Sequence, residues 1–405
     1  MKATVPIEAS ATKFVASLGQ SIFSLSFNLG GMLSGILLAL SFDVFSLAPW
    51  TFALFPGILS VRGAIGGLFS GRLGTGLHLG TVRYSYRKNT RYFYLLQNAV
   101  VTLTFVSGTA IGLTTWIFGL FLWRATIIDF GSILAVIIGT MGLSLVFVSP
   151  ITIAVSVFSF RRGLDPDIII YPVTATIADI VVTACYVLCL NMFFSFAPLG
   201  YFLIGVLDFV FLSIVLYILV KNAAEREFIK TIREFLFTLI FVAFIVNITG
   251  SLLNQIRQIP GVRPEIYIVY PALINTAGAV GSIVGSTATT KLALGAVEPF
   301  LSSIKQHKTE IGSAWIASVL MYVSYSIISL SSRGLATLNN LSALTATLLI
   351  TNALTVSTMV VIAYLVAIVT YRKGWDPDNF VIPIESSLAD SITTVALLTA
   401  LTAIA

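Results

Sequence analysis

The sequence predicts an all-α polytopic membrane protein of about eleven transmembrane helices, and three observations carry that prediction. Of 405 residues, 57% are hydrophobic and only 10% charged, whereas a soluble globular domain keeps about a quarter of its residues charged. The apolar residues gather into eleven runs bounded by charges, most of them near or above the roughly 20 residues an α-helix needs to cross the hydrocarbon core. A stretch of the first half then recurs in the second.

The runs lie at about 16–42, 52–78, 95–123, 130–160, 168–195, 200–221, 230–256, 266–295, 312–331, 341–370 and 380–403. The first follows a polar stretch and lacks a short apolar core with a small-residue cleavage site, so a retained helix is expected. The second carries Gly63, Gly67 and Gly71, four apart, a spacing that lets helix backbones approach closely in lipid. Exposed backbone near Gly63 lining a path is the alternative reading. Arg62 lies inside this run and is expected to snorkel or to pair locally. The fifth run holds Asp179, and the sixth, which links the halves, holds Asp208. The eighth has Gly278, Ser282 and Ser286 at the spacing of the second, and the eleventh has Glu385 and Asp390. His78 and His307 fall at or beyond the ends of their runs and read as interfacial; Cys185 and Cys189 read as packing.

Lys and Arg accumulate on the cytoplasmic side of membrane proteins. With the N-terminus inside, eighteen of the 23 basic residues fall in inner segments, while only Arg124, Arg257, Arg263 and Arg333 are outside. The expected topology is therefore N-terminus cytoplasmic, C-terminus outside, most naturally in the plasma membrane. The small net charge of +6 is scattered, and nucleic acid is excluded as a partner; two cysteines four apart in an apolar run exclude structural zinc. No nucleophile–base pair, His cluster or cofactor motif is present, so no enzymatic activity is expected.

Self-comparison supplies the organisation. Arg161-Arg-Gly-Leu-Asp-Pro-Asp167 recurs 211 positions later as Arg372-Lys-Gly-Trp-Asp-Pro-Asp378, and Pro172, Thr176, Asp179 and Thr183 pair with Pro383, Ser387, Asp390 and Thr394 at the same offset. Upstream, Pro56, Gly63, Gly66 and Thr75 pair with Pro271, Gly278, Gly281 and Thr290 at an offset of 215, and Asn28 with Asn247 at 219. Residues 1–197 are thus read as one five-helix repeat, 198–225 as a linking helix with its inner loop, and 226–405 as the second repeat. Five spans carry the chain outward and the sixth returns it, so both repeats start inside and are parallel. A pseudo-two-fold axis along the membrane normal is expected, with a substrate path at the repeat interface, and the chain should work as a pseudo-dimeric monomer.

The polar residues of the fifth and eleventh runs recur at helical spacing on one face. Asp179 and Asp390 each lie about 24 Å of helix from the end of their run, near the middle of the bilayer. An ionised residue there costs about 2.5 to 3.5 kcal/mol on insertion scales, so its default reading is functional. Two such carboxylates related by the pseudo-axis would repel unless a cation or proton intervened, and a divalent cation balances them. Thr176, Ser387, Thr183 and Thr394 are candidate path-lining groups. Pro172 and Pro383 free the carbonyls of Ile168 and Asn379, which could also line a hydrated path. Asp165, Asp167, Asp376 and Asp378 fit either helix-start chemistry or an acidic cytoplasmic mouth that concentrates cations. Glu385, with Thr174 opposite it, is a possible extra ligand.

With the segments from Pro56 to Thr75 and from Asp165 to Asp179, and their second copies, in hand, the chain resembles the membrane domain of MgtE-type magnesium transporters, especially the animal solute-carrier relatives that fuse two such domains. The resemblance covers nearly all of the chain. It implies five-helix units about a central cation pore, with magnesium bound at the fifth-helix carboxylate, here Asp179 and Asp390. Where the family usually has Asn after the aligned glycine this chain has Ala64 and Ala279, and Gly66 and Gly281 replace polar residues further on, implying fewer side-chain ligands. Even the longest inner segments, of about 15 to 20 residues, leave no room between spans for the cytosolic sensing domains of bacterial members. The expected function is a divalent cation channel or transporter for Mg²⁺ as the transported ion, other divalent cations being admissible; the alternative is an H⁺- or Na⁺-coupled exchanger using the same site, with Asp208 or Glu385 as coupling acid.

Overall fold

The computed structural model describes residues 7–78, 80–83, 85, 88–161, 166–196, 198–258, 265–293, 295–373 and 378–404, and among them only helices and turns occur. In order these are α1 (Ile7–Ser26), a 3₁₀ turn (Phe27–Gly30), α2 (Gly31–Leu40), α3 (Phe42–Phe45), α4 (Pro49–His78), α5 (Arg91–Leu122), α6 (Ile127–Arg161), α7 (Pro166–Ser195), α8 (Leu199–Asn222), α9 (Arg226–Gln258), α10 (Glu265–Ala293), a second 3₁₀ segment (Leu301–His307), α11 (Lys308–Ser332), α12 (Leu338–Arg372) and α13 (Asp378–Ile404). Among the described residues nine helical spans are long and apolar enough to cross a membrane, and shorter apolar stretches lie at Val242–Ile256 in α9 and Leu388–Ala403 in α13.

Local chemistry sets several boundaries. Pro49 opens α4, where a missing backbone N–H costs nothing, and Pro56 inside it removes the donor to the carbonyl four residues earlier. Thr90 caps α5 by accepting from the Phe93 N–H, and Thr337 caps α12 by accepting from the Asn340 N–H. The first apolar run, read as one helix, forms one candidate span, Phe14–Leu40, in which the 3₁₀ turn joins α1 to α2. Packing is close there: a side chain at Gly31 would come within 3.3 Å of the Ala272 backbone.

Two compact units make up the chain. One comprises Met1–Met32 with Val269–Ala405, the other Leu33–Ile268. The first unit thus joins α1 to α11, α12 and α13, and the second joins α9 to α4–α8. In the first, α1 packs along α11, with the Ser17 and Ser313 hydroxyls 2.6 Å apart, and Asn28 donates to the Thr276 hydroxyl at 3.3 Å. In the second, α9 packs on α4 and α5. There Asn247 accepts from the Thr115 hydroxyl and donates to that of Thr114, both at 2.7 Å. Asn28 and Asn247, matched in sequence, each make a buried hydrogen bond to a threonine of another helix within their own unit. Close approach is allowed by glycine, since a Cβ at Gly250 would stand 1.9 Å from the Ala53 carbonyl oxygen.

The unit of residues 33–268 has an aromatic core in which Phe45 meets Phe52, Phe55 and Tyr186 edge-on or tilted and the Tyr186 hydroxyl donates to the Thr51 carbonyl at 2.8 Å. The linking helix α8 lies against α5, α6 and α7 and leaves Phe202, Phe209, Leu216 and Tyr217 exposed, as an apolar helix facing lipid should. In the other unit Ala277, Met359 and Ala389 pack together, and the Tyr325 hydroxyl pairs with that of Thr276 at 2.7 Å. His307, read from sequence as interfacial, is fully enclosed there, with Nε2 3.1 Å from the Thr287 hydroxyl. The 3₁₀ segment folds it inward, which run boundaries alone do not show.

Candidate functional site

Asp179 on α7 and Asp390 on α13 are both buried, at 5% and 6% exposure. The helices continue through Pro172 and Pro383. Thr176 is half-buried. Thr183 and Thr394, one turn beyond each Asp, are fully buried and already engaged. The Thr183 hydroxyl lies 2.5 Å from that of Ser34. Thr394 lies 2.9 Å from the Tyr270 hydroxyl and donates to the Asp390 carbonyl at 2.6 Å. Asp167 and Asp378 stand in the first turn of their helices, but their side chains, like that of Ser387, are outside the described residues, as are Asp165 and Asp376 altogether.

What surrounds the two aspartates differs between the halves. The Arg62 guanidinium, reaching from α4, is 3.2 Å from the Asp179 carboxylate through Nη1. The same nitrogen donates to the Ala175 carbonyl at 3.1 Å, and Nη2 to the Thr174 carbonyl at 3.0 Å. Arg62 is 7% exposed, so this is a buried charge pair in which the guanidinium's fixed fork is held at three points. The local pairing expected for Arg62 is present, and its partner is Asp179, the acid matched in sequence by Asp390. Arg62 also borders a small cavity lined by Gly66, Thr104, Ser144 and Thr152.

In the other half Ala277 occupies the position of Arg62 and lies in the apolar contact with Met359 and Ala389. Glu385 occupies the position of Thr174. It is 1% exposed, and neither carboxyl oxygen has a hydrogen-bond partner among the described residues. The matched glycines register the difference. A Cβ at Gly66 would meet the Arg62 guanidinium at 3.5 Å; a Cβ at Gly281 would meet the Glu385 carboxyl at 3.4 Å. One repeat therefore places a cation beside its glycine, and the other an acid.

The remaining sequence candidates distribute more simply. Gly63 has open space where a side chain would be, and Gly278 meets only the Ala389 methyl at 3.6 Å; the tight crossings occur instead at Gly35, Gly200 and Gly250. Asp208 on α8 holds Oδ1 buried against Gly139 without a hydrogen-bond partner among the described residues. Cys185 and Cys189 are buried and free. No group of three or more His, Cys, Asp or Glu side chains able to hold a metal occurs among the described residues.

Comparison with known proteins adds to this. A family model described as MgtE, divalent cation transporter, matches residues 55–189 and again residues 270–400, together well over half of the chain. No curated protein matches in sequence. Among solved structures, the crystal structure of the eukaryotic MATE transporter AtDTX14 aligns over 97% of each chain with 12% identity and a TM-score of 0.33, too weak a likeness to carry an argument.

Proposed function

Because the chain belongs to the MgtE family of divalent cation transporters, we propose that its ion is Mg²⁺ and that Asp179 and Asp390 are the carboxylates this ion meets. Family membership and the membrane-crossing helices make it an integral membrane protein of a divalent cation transporter family. The observation that carries the finer reading is the burial of two acids at matched positions, 5% and 6% exposed, in largely apolar helices. Intramembrane acids are retained at a cost and mark ion pathways. Mg²⁺ sheds water reluctantly and is commonly held by one or two carboxylates with several waters kept, which suits a site poor in ligands. The polar residues beside the acids, Thr176 and Ser387, and the mouth acids Asp165, Asp167, Asp376 and Asp378 belong to the same reading as secondary contributors. So do the plasma membrane as location, the cytoplasmic N-terminus and the pseudo-dimeric monomer.

The test is ion flux into proteoliposomes for Mg²⁺, Mn²⁺, Ca²⁺ and Co²⁺, with and without an imposed proton gradient. Uptake is expected for Mg²⁺ and lost in Asp390→Ala and in Asp179→Ala; full transport by the double variant would sink the proposal. A second reading, coupled exchange with H⁺ or Na⁺, is favoured by one observation: the enclosed Glu385 carboxyl, whose oxygens have no hydrogen-bond partner among the described residues, is suited to taking a proton or a small cation. Uptake indifferent to imposed pH and sodium gradients removes that reading.

A further inference from the structure

One end of the unit of residues 33–268, where α8 finishes and α9 begins, is strongly basic, and we infer that it binds the headgroup of an acidic phospholipid through Arg226, Lys230 and Arg233 of α9 together with Lys221 of α8. The surface lies apart from the two aspartates, and the inference does not depend on which ion the chain carries.

Charge is concentrated there. Residues 79–91 and 221–234 hold eight basic residues against three acids, a net +5 out of the +6 of the whole chain. Both stretches belong to the same unit, and an ion pair between Arg91 and Glu225 joins them. Ala99, Ile218 and Phe228 pack into one buried cluster, which fixes the end of α8 and the start of α9 against α5. The matching loop of the other repeat, residues 294–310, has two basic residues and two acids.

Spacing on α9 sorts these charges. At about 100° per residue, Arg226, Lys230 and Arg233 fall within about 60° of arc, and all three are exposed. Phe228, Thr231 and Phe235 lie on the opposite side and are buried, where α9 packs on α4 and α5. Glu227 and Glu234 fall along one edge of the basic stripe and Ile229 and Leu236 along the other, with Ile229 and Leu236 exposed. A phosphate over acyl chains fits a basic stripe bordered by exposed apolar side chains, as on helices that meet the headgroup region; a soluble anion would engage the stripe and leave Ile229 and Leu236 uncovered. Length sets the depth. The 33 residues of α9 make about 50 Å of helix against about 30 Å of hydrocarbon, and its continuous apolar sequence begins only at Phe235, so the stripe falls at headgroup level. The adjoining end of α8 presents Tyr217 and Val220 as exposed apolar surface and carries the Lys221 ammonium 5.6 Å from the Tyr217 ring centroid, the posture of a lysine anchored at a membrane interface. An acyl chain lying along that face brings its phosphate to Lys221.

The experiment is native mass spectrometry of the full chain in neutral detergent micelles, titrated with phosphatidylglycerol or with phosphatidylcholine of the same acyl chains. Phosphatidylglycerol is expected to bind at least tenfold more tightly. The variant Arg226→Gln, Lys230→Gln, Arg233→Gln is expected to lose at least tenfold in that affinity, whereas Lys305→Gln with Lys308→Gln, in the other unit, keeps the wild-type value, and excess inorganic phosphate does not displace the lipid. Equal affinity for the two lipids, wild-type affinity in the folded triple variant, an equal loss in the Lys305 and Lys308 variant, or displacement by inorganic phosphate overturns the inference. Should the triple variant not fold, Arg226→Gln alone decides: about a fivefold loss is expected from one basic residue at an anionic surface, and an unchanged affinity overturns the inference.

Discussion

Removing the Asp179 carboxylate should destabilise the chain through the charge it leaves behind. Arg62 and Asp179 have side chains 8% and 7% exposed, so Asp179→Ala strands a guanidinium inside the unit. Breaking a buried pair from one side costs about 3 to 5 kcal/mol; the Ala175 and Thr174 carbonyls still hold Arg62, which places the expected loss near the lower end, about 3 kcal/mol. Arg62→Met should cost less, about 2 kcal/mol, because the orphaned acid can take a proton. The double variant has no stranded charge, and its remaining cost is packing, about 2 kcal/mol. The cycle then gives a coupling energy of about 3 kcal/mol, at the upper end for directly interacting residues. The assay is reversible unfolding of the full chain in micelles, monitored by intrinsic fluorescence, for the four proteins of the cycle. Costs that add to within about 0.5 kcal/mol would show that the two side chains do not act as a pair, and the geometry of this site would have to be abandoned.

Three further outcomes follow from the packing. Gly250→Ala places a methyl 1.9 Å from the Ala53 carbonyl oxygen, which no side-chain rotation relieves. The folded fraction by size-exclusion chromatography should fall sharply, whereas Gly19→Ala in α1, with nothing within 4 Å, should gain a few tenths to about 1 kcal/mol from helix propensity. Asn247→Leu removes two interhelical hydrogen bonds that hold α9 to α5, and the unfolding free energy should drop by about 1 kcal/mol, the scale of such bonds in membranes. Cys185 and Cys189, 6% and 1% exposed, should resist a membrane-permeant maleimide in the native chain and react fully once it is unfolded; rapid native labelling would contradict the packing of α7.

Much of the architecture is legible in the residues because lipid imposes a simple rule: a segment whose backbone leaves water must satisfy its own hydrogen bonds, so long apolar runs become helices. The runs, the second copy of the Pro56 and Asp165 segments, and the positions of Asp179 and Asp390 within their helices follow from that rule and from counting. Arg62 also stood out, as a basic residue inside a span. Its partner did not, because α4 and α7 are over a hundred residues apart and only their crossing brings the guanidinium to the carboxylate. Glu385 was visible as an asymmetry with Thr174, yet its enclosure against Gly281 depends on the side chains of α10 and α12.

The grouping of α1 with residues 269–405 and of α9 with residues 33–268 is not legible in the sequence for a related reason. In lipid an apolar face gains little by choosing one neighbour over another, so hydrophobic pattern places α1 and α9 in the membrane without saying which bundle hosts them. Small polar contacts and bare backbone make that choice: Ser17 with Ser313, Asn28 with Thr276, Asn247 with Thr114 and Thr115, and Gly250 against Ala53. Composition and repetition thus settle that this chain lies in a membrane and where its acids fall along their helices. That a guanidinium faces Asp179 is settled by the crossing of α4 and α7, since side-chain electrostatics act over a few ångströms that no spacing along the chain encodes.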